Sequence, residues 1–391
     1  MLYNTFSNRR FLSRRQFLQA SAAVGAVGAL AACVAPAAAP ASTGGGGGAA
    51  AAGSGGKPFK AAWIYLGSPT DGGWTLGHDE GRKAVEAALG DQVDTTFKAN
   101  VPESPQVSQV IDDLVRDGNK IIFGTSFGYM DYMLEAAKKY PDVYFEHVTG
   151  YKTSDNMSSY NGAQHEANYL VGMAAAKASK TGKLGYLAPF PIPIIISAVN
   201  AWMLGAQSVN PNATTKVVWT TTWFDPVAEK KAAESLLASG IDVVGHSQDT
   251  PSACQAAEAA GAYCSGNTYD QSEFTPKAWL TGNVFNWARF YTDRVKAAMS
   301  GQWKSQSFYG NIGDGMIKLA SFGASVDQAT RDLIKKKEAE IAAAPNSDFT
   351  GPISDQTGKE RVAPGQVLPL GDILSMDWFV AGVIGSPTGG T

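Results

Sequence analysis

The chain has 391 residues, of which 44% are hydrophobic and 17% are charged, with 32 Lys and Arg against 35 Asp and Glu. This near-neutral balance excludes a dedicated binder of nucleic acid or anionic membranes, and the apolar fraction excludes a disordered chain. At roughly 100 to 200 residues per domain, the folded part is expected to form two lobes.

Residues 1–33 have the pattern of an export signal. Arg14 and Arg15 lie in residues 13–18, which resemble the twin-arginine signal, and a run of small apolar residues follows. The run is too short to span a bilayer, and it ends in Leu30-Ala-Ala-Cys33, which resembles a bacterial lipobox. We expect an exported lipoprotein, anchored to the cell membrane through Cys33 and facing the periplasm or the exterior. The alternative is a plain signal peptide with an unrelated cysteine.

Residues 34–57 are nearly all Ala, Gly, Ser and Pro, which predicts a flexible tether. From residue 58 onward, short β-branched and aromatic runs alternate with helical patterns. The predicted strands are residues 59–66, 93–97, 120–123, 143–148, 183–187, 216–222, 241–246 and 262–265. The predicted helices include residues 77–89, 106–116, 130–139, 164–179, 227–238 and 287–299. This alternation predicts an α/β fold with parallel sheets in two doubly wound lobes.

Ligands of open α/β sheets bind beyond the carboxyl ends of the strands, so the segments after the strands supply the candidate site residues. Aromatic and acidic residues recur there, and basic ones are scarce. Such a cleft suits a neutral or mildly cationic planar ligand and argues against phosphate. The candidates are Asp71, Trp74, Ser126, Phe127, Tyr129, Trp223, Gln248, Asp249 and Asp270.

Turn residues flank Trp74 and Trp223 at strand ends, which favours ligand stacking over a place in the core. Asp249 and Asp270 would be costly to bury unpaired. Either a ligand supplies their donors, or each residue caps the following helix or turn.

The segment from Gly124 to Gly128 matches the nucleophile-elbow pattern G-x-S-x-G. A secreted serine hydrolase would use Ser126 as nucleophile, His246 as base and a carboxylate such as Asp225. The motif is short and arises easily by chance in a glycine-rich chain, so a tight strand-to-helix turn is the preferred interpretation. No catalytic residue is therefore predicted.

Metal and cofactor signals are weak. The four histidines show no HExxH spacing, and the nucleotide-phosphate motifs are absent, so we predict neither a metal nor a cofactor. Cys254 and Cys264 could form a disulfide in an exported protein or remain two buried thiols, and spacing does not decide between these states.

Several motifs resemble the basic membrane protein (Bmp) family of ABC-transporter substrate-binding lipoproteins, which includes purine nucleoside receptors. They are Asp71-Gly-Gly-Trp74, Tyr140-Pro-Asp-Val143, Gly205-Ala-Gln-Ser-Val-Asn-Pro211 and Asp225-Pro226. The resemblance implies a periplasmic-binding-protein type 1 fold, with two α/β lobes joined by a hinge of three crossings. It also implies a monomer that closes on its ligand and delivers it to a membrane permease. The implied lobes are residues 58–164 with about 286–325, and residues 165–285 with about 326–385, followed by a disordered tail at 386–391.

In the family, aromatic residues at the positions of Trp74 and Trp223 sandwich a purine, and an acid at the position of Asp270 holds ribose hydroxyls. Residues 280–285 lack the lysine that helps nucleoside-binding relatives to hold the sugar. The resemblance therefore implies a free purine base such as adenine, with a nucleoside as the alternative ligand. Hydrogen bonds to the base edge are expected first from Asp249 and Ser126, and then from Asp71, Tyr129 and Gln248. A ligand-sensing lipoprotein without transport is the remaining alternative function.

Overall fold

The computed structural model describes residues 57–390. The predicted signal, most of the predicted tether and the proposed lipidation site Cys33 lie outside the described residues. The fold is built on two large sheets, each covered by helices, and the chain passes from one sheet to the other three times.

The first sheet has six strands in the order β11-β5-β4-β3-β1-β2, and all neighbours are parallel. Its strands are β1 (Phe59–Ile64), β2 (Val93–Lys98), β3 (Ile121–Gly124), β4 (Tyr144–Val148), β5 (Met157–Gly162) and β11 (Ser307–Gly310). Its helices are α1 (Trp74–Leu89), α2 (Gln106–Arg116), α3 (Met130–Lys139) and α8 (Trp287–Met299). Central strands such as β3 are buried along their whole length, as parallel strands between helical layers must be.

The second sheet has seven strands in the order β12-β10-β9-β8-β6-β7-β15. Its strands are β6 (Lys183–Ala188), β7 (Thr214–Trp219), β8 (Val243–His246), β9 (Tyr263–Gly266), β10 (Trp279–Phe285), β12 (Ile317–Leu319) and β15 (Val383–Ile384). Its helices are α4 (Gln164–Ala178), α5 (Pro193–Val209), α6 (Pro226–Ala238), α7 (Ser252–Ala259) and α9 (Gln328–Ala343). Only β12 runs antiparallel to its neighbour, β10. The α/β fold class predicted from the sequence is confirmed.

The three crossings between the sheets are β5 to α4, β10 to α8, and β11 to β12. They are bonded to one another, because Ala163 N donates to Gly310 O at 2.7 Å and Asn286 N donates to Met316 O at 2.8 Å. The expected first lobe ran to residue 325, whereas β12 pairs with the second sheet. The third crossing therefore ends before β12.

Strand β5 was not predicted because most of its residues are polar. Its six residues, MSSYNG, are all buried. The Ser158 hydroxyl accepts a bond from the Arg294 guanidinium at 2.9 Å, and Ser159 donates to Ser307. Hydrogen bonds thus allow polar side chains to occupy a position that hydrophobic patterning assigns to apolar ones.

The C-terminal segment, residues 346–390, packs on the second lobe. It contains the hairpin β13 (Ile353–Ser354) and β14 (Glu360–Val362), the short helix α10 (Leu370–Ile373) and β15. Phe349, Ile353 and Phe379 are buried in the same core as α4 and α5. Residues 386–390 form a turn instead of the expected disordered tail, and the Trp219 indole donates to Ser386 O at 2.8 Å.

Cys254 and Cys264 are joined by a disulfide with an S–S distance of 2.04 Å. The bond links α7 to β9, and both residues are buried. The structure thereby selects one of the two states that the sequence left open.

Helices α4 and α5 pack with their backbones in close approach. A Cβ added at Gly205 would lie 1.8 Å from Tyr169 O, and one added at Gly172 would lie 2.0 Å from Trp202 O. Glycine is therefore a packing requirement at both positions, since no side chain fits between the helices.

Replacement of Gly205 by Ala is expected to lower the free energy of unfolding by about 1 to 3 kcal/mol or more, because the helices must separate. Chemical denaturation would measure the change. Gly371→Ala is the matched control, since it lies in a helix with no atom within 4 Å of an added Cβ. Equal stability of the two variants would contradict the close approach.

Candidate functional site

A cavity of about 480 Å³ lies between the two sheets, at the carboxyl ends of their strands. Its volume falls in the range of roughly 300 to 1,000 Å³ that is typical of small-molecule sites. The first lobe contributes Leu66, Trp74, Ser126, Phe127, Thr149, Tyr151, Ser159, Tyr160 and Asn161. The second lobe contributes Ile192, Pro193, Ile194, Ile195, Trp223, Ser247, Asp249, Asn267 and Thr268. Residues of the crossings, among them Gln164, Phe285 and Tyr309, complete the lining.

Two tryptophans lie on opposite lobes of this cavity. Trp74 is the first residue of α1, and its indole N–H donates to Thr125 O at 2.7 Å. The edge contact between Trp74 and Phe285, with ring centroids 5.8 Å apart, fixes the indole further. Trp223 packs against Phe190 at 5.3 Å. Both indoles line the cavity from anchored positions and offer it large apolar surfaces.

The carboxyl group of Asp249 is the principal charged group of the lining. Asp249 is 8% exposed, and no group of residues 57–390 donates a hydrogen bond to its carboxylate. Burial raises the pKa of Asp249 well above its usual range, and the nearby carboxylates of Asp71, Glu229 and Glu103 raise it further. A carboxyl group in this environment is stabilised by a ligand that donates a hydrogen bond to it.

The lobes touch at the edge of the cavity. A Cβ added at Gly73 would lie 2.3 Å from Asp249 O, so the backbones of the two lobes are in contact there. Across the same cleft, the Gln271 side-chain amide donates to Gly72 O at 3.1 Å. The His246 ring N–H donates to Gln271 Oε1 at 3.1 Å and orients that amide. The cleft is closed in this structure.

Ser126 and Phe127 reach the cavity from the end of β3. The Ser126 hydroxyl donates to Glu103 Oε1 at 2.5 Å, and Gly128 N donates to the same oxygen at 2.7 Å. Glu103 was not among the sequence candidates, although it follows β2 as the other candidates follow their strands. Its carboxylate fixes the loop that carries Ser126 and Phe127.

Four candidates lie outside the cavity lining. Asp71 caps α1, where its carboxylate accepts bonds from the backbone N–H groups of residues 73, 75 and 76. The Tyr129 hydroxyl donates to Val101 O, and the Gln248 amide donates to Thr220 Oγ1 at 2.8 Å. The Asp270 carboxylate accepts bonds from the backbones of residues 272 and 321 and from the hydroxyl of residue 321. The carboxylates of Asp71 and Asp270 are therefore already hydrogen-bonded within the protein.

Several polar residues of the lining were not among the predicted site residues. Asn161 lies on the unpredicted strand β5, and Asn267 and Thr268 follow β9. The Thr268 hydroxyl is buried with no partner in the described part of the chain, and the backbone there has a positive φ of 62°. Their position after strands was the available signal, but small polar residues are common in turns and did not stand out.

Comparisons with known proteins give the family. The model described as "ABC transporter substrate-binding protein PnrA-like" (Bmp) matches residues 59–345. The chain belongs to the Bmp family. A purine-binding protein of Brucella abortus is 44% identical over 324 residues, covering 83% of this chain and 92% of that protein. A putative ABC transporter glucose-binding protein of Haloferax volcanii is 37% identical, covering 74% of this chain and 73% of that protein.

Solved structures support the fold. An ABC transporter solute-binding protein of Aeropyrum pernix K1 has a TM-score of 0.65 at 17% identity, covering 78% of this chain and 95% of that one. The expected type 1 periplasmic-binding-protein fold is confirmed. As a Bmp-family member, the chain is an ABC transporter substrate-binding protein, which implies a solute ligand and a permease partner; the family is one of solute-binding proteins and not of enzymes.

The geometry around Ser126 agrees with a binding role. The histidine proposed as a hydrolase base, His246, is engaged with Gln271 and with the Gln248 N–H. The nearest histidine interaction is that of the His147 ring with the carbonyl oxygen of Ser126, at 2.9 Å. No histidine of residues 57–390 hydrogen-bonds the Ser126 hydroxyl, which donates to Glu103 instead.

One group of potential metal ligands occurs among the described residues. A nitrogen of His246 and the sulfurs of Cys254 and Cys264 lie within 4.8 Å of one another. The two sulfurs are joined in the disulfide, so they do not present thiolates to an ion.

The Bmp-family protein carries its own export signal. The model of twin-arginine translocation signals matches residues 12–31, as the sequence predicted, and indicates export to the periplasm or the cell exterior. Among residues 57–390, none of the helices combines the length and apolar character that a membrane crossing requires.

Behind Asp249, a second buried carboxyl group belongs to Glu229 of α6. It accepts bonds from Asp225 N at 3.1 Å and from the Thr250 hydroxyl. Burial raises the pKa of Glu229 from 4.5 to about 7. Between pH 4.5 and about 7, Glu229 is protonated in the folded protein but ionised in the unfolded chain. The free energy of unfolding therefore falls as the pH rises through this range.

Glu229→Gln is expected to flatten this pH dependence. The wild-type free energy of unfolding should fall by up to about 3 kcal/mol more than that of the variant between pH 4.5 and 7. Denaturant titrations across this range would show the difference. Glu234→Gln, an exposed change on the same helix, is the control and should follow the wild type. Identical pH slopes for wild type and Glu229→Gln would rule out the elevated pKa.

Proposed function

We propose that this Bmp-family protein binds a purine between its lobes, with the free base adenine as the favoured ligand, for uptake by an ABC permease. The observation that carries the proposal is the buried Asp249 carboxyl group beside two tryptophans on opposite lobes. Adenine is flat and uncharged, and its N–H groups can donate to a carboxylate. Stacking on an aromatic ring contributes about 1 to 3 kcal/mol per base in nucleic-acid proteins.

The preference for a free base over a nucleoside rests on the residues that would contact a sugar. Asp270, the expected partner of ribose hydroxyls, lies outside the cavity lining and is held by the loop at residue 321. Phe285 instead lines the cavity. A ribose would leave hydroxyl groups against an apolar ring, which costs binding free energy.

The names of two relatives indicate two classes of ligand. The Brucella abortus relative is named a purine-binding protein, whereas the Haloferax volcanii relative is named as glucose-binding. Aromatic faces with a carboxylate also suit a sugar, so glucose is the second candidate ligand. The lining presents mainly apolar surface, to which the two tryptophans and Phe285 contribute, and this favours the purine.

Isothermal titration calorimetry of the purified protein with adenine, guanine, hypoxanthine, adenosine, inosine and glucose would test the ligand. We expect adenine to bind most tightly, with adenosine at least tenfold weaker. Trp74→Ala and Trp223→Ala should each weaken binding tenfold or more, because each removes one stacking surface.

Trp378→Ala is the matched control for these two variants. Trp378 packs on the core of the second lobe and on the Arg361 guanidinium, and it is not part of the cavity lining. The Trp378→Ala variant should bind adenine with the affinity of the wild type. Tight binding of glucose with no purine binding would refute the purine proposal, and unchanged affinity in both cavity variants would refute the stacking role.

We further propose that the exported protein is a lipoprotein anchored at Cys33. The Leu30-Ala-Ala-Cys33 sequence overlaps the end of the matched twin-arginine segment, residues 12–31, as a lipobox would. The mature protein should begin at a diacylated Cys33 in intact-mass and peptide spectra, and Cys33→Ala should release it from membranes. A mature terminus elsewhere, without lipid, would contradict the anchor.

A further inference from the structure

The first turn of α4 carries two buried ionisable residues at the first crossing, His165 and Glu166. Neither belongs to the sites described above. Glu166 Oε2 accepts a bond from Ile312 N of the third crossing at 2.9 Å. Its other oxygen accepts a bond from Asn346 N at 3.0 Å. One carboxylate therefore connects the first crossing, the third crossing and the C-terminal segment.

The neighbouring histidine makes a parallel connection. His165 Nδ1 lies 2.7 Å from Asp348 Oδ2, and both side chains are fully buried. Phe349, the next residue, is buried in the core of the second lobe, so Asp348 is anchored there. The pair fixes the start of α4 to the C-terminal segment, since breaking a buried pair leaves an uncompensated polar group.

The same residues adjoin the ligand cavity. Tyr309 lines the cavity and stacks on the His165 ring, with centroids 6.3 Å apart. Gln164, the residue before His165, also lines the cavity. Farther along the C-terminal segment, Leu374 contributes to the cavity wall. A change in the hinge contacts can therefore alter the walls of the ligand cavity.

The family model ends at residue 345, immediately before Asn346 and Asp348. We propose that residues 346–348 form a hinge brace, in which Asn346 and Asp348 hold Glu166 and His165 and thereby determine how tightly the lobes close. Glu166, His165 and Asp348 act as positioning residues, because they reach the ligand only through Tyr309 and the crossings. This inference takes from the proposed function only that the closed cleft is the ligand site.

Asp348→Asn and Glu166→Gln test the brace. Each variant keeps the size of the side chain but weakens its bonds to the hinge. Asp355→Asn is the matched control, because Asp355 is a buried carboxylate in the same segment that binds Thr357, Lys359 N and Arg361, away from the crossings. The Asp355→Asn variant should have a lower free energy of unfolding, whereas the closure of its two lobes should be unchanged.

The decisive measurement is hydrogen exchange of the ligand-free protein at residues 71–76 and 247–251, whose backbones touch across the cleft at Gly73 and Asp249. We expect about fivefold or faster exchange there in both hinge variants, with wild-type exchange in Asp355→Asn. The adenine dissociation constant should rise by a similar factor in the hinge variants only.

Unchanged cleft exchange in the hinge variants would overturn the brace, and so would equal acceleration in Asp355→Asn, which would indicate general destabilisation. If Glu166→Gln does not fold, Asp348→Asn decides the matter alone. A wild-type protein that binds no purine would count against the proposed function, while the exchange comparison would still decide whether the brace exists.

Discussion

The burial of the Asp249 carboxyl group without a donor among residues 57–390 is the constraint on which the site depends. Removing a carboxylate from water costs several kcal/mol unless hydrogen bonds or protonation compensate for it. Gly73 of the first lobe lies against the backbone of the same residue, so the two lobes meet beside this carboxyl group. Closure therefore creates the electrostatic cost, and a ligand that donates a hydrogen bond offsets it. Binding and closure therefore become one equilibrium.

Asp71 and Asp249 show what the sequence could and could not decide. Both are acidic, both follow strands, and both were candidates for contact with the ligand. The structure separates them, because Asp71 lies where the first turn of α1 presents free N–H groups, and these satisfy its carboxylate. In the described part of the chain, no N–H group donates to the Asp249 carboxylate. A cap and a ligand contact differ only in tertiary surroundings, which sequence patterns do not contain.

The fold was more accessible to prediction than the site. Hydrophobic runs located most central strands, and the rule that ligands lie beyond carboxyl ends placed Trp74, Trp223 and Ser126 at the cavity. Strand β5 was missed because its buried polar residues are compensated by partners distant in sequence, such as Arg294. The disulfide was undecidable for a different reason, because its geometry depends on how α7 packs against β9.

The hinge illustrates how closure can be both mobile and reproducible. Three short crossings would allow many relative orientations of the lobes if each were free. Backbone bonds tie the crossings together, and Glu166 joins two of them to the C-terminal segment. Because that segment is buried against α4 and α5, the brace is as rigid as the second lobe itself. The tryptophans can then meet a flat ligand in one geometry, since stacking gains little from a loosely defined gap between the rings.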